Sequence, residues 1–254
     1  MNNLMAVILV AGTGERLYPL TKDLPKCLID IGGITILEHQ LRNLMLNGIK
    51  DVILVTGYKA EKIEESVQNF GLSDMNIKLI YNSFFEVYNN LYSLFIALKE
   101  INSDFMIVNG DDVFHPDILK KLIEAKVEEI TLMINKKTSY DSDDMKVTIK
   151  DEKIELVNKQ IDSNKADGES IGIMKFTGSG VTKIKEMVTE MANTPEGQKV
   201  FYLKAIQNIA NKHNIVGYVD IGDLPWGEID YPEDLQYVKN TVMKKINTYN
   251  KKII

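Results

Sequence analysis

Short apolar runs alternate with amphipathic stretches along the first half of the chain, and few folds can use such a pattern. Leu4 to Val10, Val52 to Val55 within Asp51–Thr56, Ile77 to Tyr81, Phe105 to Val108 and Ile130 to Ile134 have the length and composition of buried strands. Between them lie segments with apolar residues at helical spacing. These are Ile36 to Leu46, with Thr35 as N-cap and Gly48 past its end; Ala60 to Phe70, stopped by Gly71; Asn90 to Ile101; and Pro116 to Ala125. Strands that are apolar on both faces need helices above and below them. The predicted fold class is therefore α/β, a doubly wound and mostly parallel sheet. After about Lys136 the texture changes. Lys146 to Ile149 and Lys153 to Val157 read as a polar hairpin around Asp151-Glu152, Ile171 to Phe176 and Ile215 to Val219 as strands, Val181 to Met191 and Val200 to Lys212 as helices, and Pro232 to Lys245 as a closing helix. No repeat or low-complexity linker interrupts the chain, so one domain over 1–254 is expected, with halves 1–135 and 136–254.

Charge and cysteine content exclude several function classes. Acidic residues outnumber basic ones, 36 to 30, for a formal charge of −6. Broad binding to nucleic acid or to an acidic membrane needs a net basic face. The lysine-rich tail from Lys239 to Ile254 is the local exception and reads as a solvated helix end. Cys27 is the single cysteine, which removes disulfides and cysteine-based zinc sites within one chain and suits a reducing compartment. The apolar run from Leu4 to Val10 is too short for a secretory core with its flanks or for a membrane span. A cytoplasmic protein is expected.

In an open parallel sheet, ligands collect at the carboxyl ends of the strands. The first strand runs into Ala11-Gly12-Thr13-Gly14-Glu15-Arg16-Leu17. Two glycines let the backbone turn tightly and aim N–H groups at an anion. Arg16 adds a fixed cation suited to phosphate, in a chain whose only other arginine is Arg42. Leu17 stands where a dinucleotide fingerprint needs its third glycine, and no Gly-Lys-Ser/Thr triplet closes the loop as in a Walker motif. The next basic residue in a motif is Lys26, after Leu24-Pro25. Asn109-Gly110-Asp111-Asp112 ends the fourth strand, and Asp230 lies just before the helix opening at Pro232. Each aspartate alone is as well suited to a turn or a cap as to a metal. His39, His115 and His213 have no metal spacing and read as structural or solvated; Cys27, Tyr88, Tyr92 and Phe95 read as core.

The stretch GTGERLYPLTKDLPKCL resembles the signature of the nucleoside-triphosphate transferases that make activated sugars and alcohols: Gly-x-Gly-x-Arg, Pro-Leu-Thr, then Pro-Lys-x-Leu. Val55-Thr56-Gly57-Tyr58, Tyr81-Asn82, Asn89 and Tyr92-Ser93-Leu94 are similar to the cytidylyltransferase branch, which activates phosphocholine, inositol phosphate or aminoethylphosphonate. Within it the chain looks most like enzymes feeding surface-polysaccharide decoration, one type of which activates L-glutamine phosphate. The resemblance implies a Rossmann-like nucleotidyltransferase fold, with a nucleotide-binding half and an acceptor half that carries a small β-rich region. Ala11, Gly12, Thr13, Gly14, Glu15 and Arg16 would surround the nucleotide, with Thr56, Gly57, Tyr58, Asn82, Ser93 and Gly110 at its border. Arg16 and Lys26 would be the catalytic cations, and Asp111 and Asp230 would hold Mg²⁺, a hard ion that prefers oxygen ligands. Tyr231 departs from the small polar residue usual beside the second aspartate. On the acceptor side the candidates are Asn89, Asp112, Lys146, Lys159, Glu169 and Trp226, with Glu169 facing an ammonium and the two lysines a phosphate. The implied partners are CTP and a small phosphorylated acceptor, and a homodimer is compatible with the reading. Two rival functions stay open: a sugar-1-phosphate uridylyl- or thymidylyltransferase, and a nucleotide-binding regulatory module without catalysis.

Overall fold

A computed structural model describes residues 4–126 and 128–251. Lys252 to Ile254, the end of the lysine-rich tail, lie outside the described residues. The first half supplies β1 (Met5–Val10), α1 (Ile36–Leu46), β2 (Asp51–Thr56), α2 (Ala60–Asn69), β3 (Asn76–Tyr81), α3 (Asn90–Leu98), β4 (Phe105–Asn109), β5 (Asp112–Phe114), α4 (Pro116–Glu124) and β6 (Ile130–Asn135). The second half adds β7 (Lys146–Lys150), β8 (Lys153–Val157), β9 (Gly168–Phe176), α5 (Ser179–Ala192), α6 (Leu203–His213), β10 (Val216–Asp220), β11 (Trp226–Glu228), α7 (Pro232–Tyr237) and α8 (Met243–Lys251).

The main sheet has the order β10-β6-β9-β4-β1-β2-β3, so strands from both halves share it. The pairs β3-β2-β1-β4 and β6-β10 are parallel, while β9 runs antiparallel to both its neighbours. Side chains alternate across β1. Val7 joins the core under α3, α5 and α6, and Ala6, Ile8 and Val10 join the core under α1, α2 and α4. This is the doubly wound arrangement expected from the runs, and β9 is buried at every position because it sits in the middle of it. The hairpin β7–β8 hangs from β9 through Lys146 and Val147.

Two features depart from the expectations. The closing helix runs without interruption but is not α-helical throughout: five residues, Val238–Val242, form a π-helical segment between α7 and α8. A second, two-stranded sheet pairs β5 with β11, setting Asp112 opposite Glu228. A third apolar cluster under this ribbon, with Leu17, Ile29, Val113, Ile229, Leu235 and Val238, anchors the end of the chain beside the first glycine turn. Among the described residues no helix is long and apolar enough to cross a membrane.

Candidate active site

The carboxyl ends of β1 and β4 lie side by side and border a cavity of about 670 Å³. Two glycines bring its walls together. Gly14 has φ +67°, and a Cβ there would stand 3.0 Å from Lys26 Cβ, so glycine lets Lys26 pack against the turn. A Cβ at Gly110 would stand 2.5 Å from Leu9 O, so only glycine lets the β4 turn lie against β1. Thr21 Oγ1 donates to Gly14 O at 2.7 Å and closes the loop between them.

Lys26 is the hub of the charges. Its Nζ donates to Asp111 Oδ2 at 2.8 Å and to Asp230 Oδ1 at 2.6 Å. Arg16 Nη2 pairs with Asp230 Oδ2 at 2.9 Å, and its Nη1 with Asp143 Oδ2 at 3.0 Å. The guanidinium also stands 5.1 Å from the centre of the Tyr231 ring. Asp230 is set in place by its successors: Asp234 Oδ2 accepts from the N–H groups of Asp230 at 3.0 Å and Tyr231 at 2.7 Å. Burial works against the Lys26 charge, but Asp111 and Asp230 outweigh it and hold the ammonium above the ordinary lysine range. For Arg16 burial likewise opposes the charge, and the Tyr231 hydrogen bond with Asp230 and Asp143 wins. Both side chains are therefore fixed cations at any pH near neutral.

Three carboxylates meet beneath them. Asp111, Glu228 and Asp230 each place an oxygen within 4.8 Å of the others. Asp111 Oδ1 is buried with no hydrogen-bond partner among the described residues. Desolvation, then repulsion from Asp111 and Asp230, pushes the Glu228 carboxyl up to about 8. An unpartnered buried oxygen and a group that resists ionising beside two acids both fit a divalent cation with oxygen ligands. Glu228 is a site residue that the motifs did not mark. It does leave a signal, because Glu228 ends β11 and stands only two residues before Asp230.

Of the residues expected around the nucleotide, Ala11, Gly12, Thr13, Gly14, Glu15, Arg16, Ser93 and Gly110 line the cavity. Thr56, Gly57, Tyr58 and Asn82 stand behind that wall. Tyr58 N donates to Ala11 O at 3.0 Å, the Tyr58 hydroxyl donates to Lys22 O, and Asn82 Nδ2 donates to Ser93 Oγ at 3.0 Å. On the acceptor side Asn89 and Lys159 line the cavity. The other four do not. Lys146 is buried and spends its ammonium on the carbonyls of Asp141 at 2.6 Å and Asp144 at 3.4 Å. Glu169 is buried on β9, where it accepts from Asn135 Nδ2 and pairs with Lys137, both at 2.9 Å, and burial raises its carboxyl to about 7. Trp226 Nε1 donates to the buried Asp112 Oδ1 at 3.2 Å, so these two hold each other. The cavity is also lined by Asp143, Met145, Lys199, Phe201 and Tyr202, which no motif marked, and by Tyr88, which read as core. Cys27 is buried, as its core reading required, and His39 is buried, the structural of its two alternatives.

A family model described as Nucleotidyl transferase matches residues 5–142, more than half of the chain. The chain belongs to the nucleotidyl transferase family. It is thus a nucleotidyltransferase, and cytidylyltransferases are prominent among the proteins it resembles. It is 28% identical over 253 residues to the CTP:phosphoglutamine cytidylyltransferase of Campylobacter jejuni, covering 91% of this chain and 97% of that one. A choline-phosphate cytidylyltransferase of Streptococcus pneumoniae is 33% identical over 102 residues, 40% of this chain and 42% of that protein. The structure of the inositol-1-phosphate CTP transferase from T. maritima superposes with a TM-score of 0.78 at 24% identity, covering 95% of this chain and 99% of that one, and shows the same fold.

Proposed function

We propose that this nucleotidyltransferase is a Mg²⁺-dependent cytidylyltransferase. It moves CMP from CTP to a small phosphorylated acceptor and releases pyrophosphate. The observation that carries the reading is the set of Arg16 and Lys26 locked onto Asp111 and Asp230 at the mouth of the glycine turn. Residues 1–135 supply the turn, Asp111, Tyr88 and Asn89, and residues 136–254 supply Asp230 and the rest of the acceptor wall, so both halves act as one catalytic unit.

The chemistry asks little covalent work of the protein. A phosphate oxygen of the acceptor is already anionic near neutral pH, because its second pKa is about 6. It forms a bond to the α-phosphorus of the nucleotide while the bond to the bridging oxygen breaks, and the electron pair leaves with pyrophosphate. No general base is needed. The barrier lies in holding two anions in line and in stabilising the leaving charge. The N–H groups around Gly12 and Gly14 and the Arg16 guanidinium receive the triphosphate, and Lys26 reaches the phosphates at the reacting centre. Asp111, Asp230 and Glu228 would hold the cation, which when bound supplies positive charge to the phosphate oxygens.

The acceptor wall offers both signs of charge, Lys159 and Lys199 with Asp143, beside the Tyr88 and Phe201 rings. That pattern suits a small zwitterionic phosphate better than a hexose phosphate. L-Glutamine phosphate is the favoured acceptor, supported by the full-length likeness to the Campylobacter enzyme, with phosphocholine second. The product would serve surface-polysaccharide decoration. A pyrophosphate-release screen crosses four nucleoside triphosphates with phosphorylated amino acids, amines, polyols and sugars. Release is expected with CTP and a phosphorylated zwitterion. Release only with UTP or dTTP and a hexose phosphate would transfer the protein to the sugar branch, and CTP binding without turnover on any acceptor would make it a regulatory module.

A further inference from the structure

Helix α1 carries a buried polar stripe that faces the chain beneath the carboxylates. His39, Gln40 and Asn43 are all buried, in a helix whose other inward residues are Leu37, Leu41 and Leu44. His39 Nε2 lies 2.9 Å from Phe114 O, and Asn43 Nδ2 donates to the same oxygen at 2.9 Å. Gln40 reaches further up. Its single Nε2 donates to Asn109 O at 2.8 Å and to Asp112 O at 2.8 Å. Those two carbonyls are the posts on either side of Gly110-Asp111. The amide therefore spans the turn and fixes the separation of its ends. Its Oε1 is buried with no hydrogen-bond partner among the described residues, a desolvation cost that a leucine there would not incur. The two bonds from its Nε2 offset that cost.

The rest of the turn is pinned from above. Tyr202 Oη donates to Asn109 Oδ1 at 2.9 Å, and Trp226 Nε1 donates to Asp112 Oδ1 at 3.2 Å. Ile229 N donates to Asp111 O at 3.2 Å. Of these contacts, Gln40 alone grips both ends of the turn. We infer that Gln40 is a positioning residue for the cation site, setting the height and angle at which Asp111 meets Asp230 and Glu228. The inference rests on the carboxylate site described above. Gln40 touches neither nucleotide nor acceptor, so its loss acts on cation affinity and on kcat, not on nucleotide KM.

The test titrates the intact protein with Mn²⁺ and counts free ion by electron paramagnetic resonance, with thermal unfolding recorded alongside. Gln40→Met keeps the shape and removes both donors. It is expected to weaken Mn²⁺ binding about tenfold and to lower kcat while the KM for CTP stays within about twofold. Asn43→Ala removes the neighbouring clamp on Phe114 and is expected to lose stability with Mn²⁺ affinity within about twofold of wild type. Should Gln40→Met not fold, Gln40→Glu retains the shape with at most one donor and carries the same measurement, with a smaller loss expected. Equal Mn²⁺ affinity in wild type and in a folded Gln40 variant, or equal losses in the Gln40 and Asn43 variants, overturns the inference. Asp111→Asn separates the two levels: if it binds Mn²⁺ as wild type does, the cation site itself is misplaced, whereas its loss beside an unaffected Gln40→Met leaves the site standing and removes only the role of Gln40.

Discussion

The two walls of the cavity are made in different ways. The phosphate wall is a turn between two parallel strands, with its shape set by glycines and its charge by side chains that lock onto one another. The wall proposed for the acceptor is assembled from the approach to α3, the approach to β7, the segment after β8 and the residues before α6, and its charges are half exposed or exposed. In the first wall the charges of Arg16, Lys26, Asp111 and Asp230 are held by short ion pairs and the turns close on glycines. In the second, Asp143 and Lys199 are exposed on segments outside the strands and α-helices. Rate should therefore depend on the first wall and choice of acceptor on the second.

The widest separation is expected at the carboxylates. Asp111→Asn or Asp230→Asn should lower kcat by about a thousandfold or more at saturating Mg²⁺, because neither is a core residue and the proposed mechanism assigns each to the cation. Unfolding temperature close to wild type, read by differential scanning calorimetry, confirms that the loss is chemical. Near-wild-type turnover would dissolve the distinction between the walls. Next in size, Lys26→Ala should lower kcat about a hundredfold, the range for removing one preorganised donor from a transition state. It also leaves Asp111 and Asp230 in mutual repulsion, which added Mg²⁺ should partly relieve, so the defect should shrink as the ion is titrated in. On the opposite wall Lys159→Ala should raise the acceptor KM about tenfold and leave the KM for CTP unchanged within about twofold, measured by initial-rate kinetics in both substrates. A change in kcat alone would move Lys159 to the phosphate side. The smallest effect belongs to Glu169→Gln, which should leave the acceptor KM within about twofold, since Glu169 is committed to Asn135 and Lys137 behind the wall. A large rise there would return Glu169 to the acceptor.

The same asymmetry governs which parts of the molecule are legible in its sequence. Strand runs such as Ile8 to Val10 and Phe105 to Val108 are legible because burial on both faces leaves no alternative to apolar residues. The glycine turn and Lys26 are legible because backbone geometry and phosphate charge restrict the residues that serve. Lys146 and Glu169 mislead for the opposite reason. A charged residue beside a strand looks free in sequence, and only the register of β9 against β6 and β7 reveals that both are consumed inside the protein. Asp143, Phe201 and Tyr202 carry no local signal at all, since each reaches the cavity through tertiary placement. The π-helical segment between α7 and α8 is invisible as well, because Val238 to Val242 keeps an ordinary helical pattern.

The ribbon of β5 and β11 joins residues far apart in the chain and seats Asp230 against Asp111. While the chain is being synthesised, the glycine turn and its neighbouring strands emerge long before Asp230 does. An emerging polypeptide without the second half lacks β9 beside β4 and the late carboxylates, so its cleft is incomplete on two sides. Under the proposed mechanism, a protein stalled or clipped before the late ribbon strand lacks two of the three clustered carboxylates and should show no turnover.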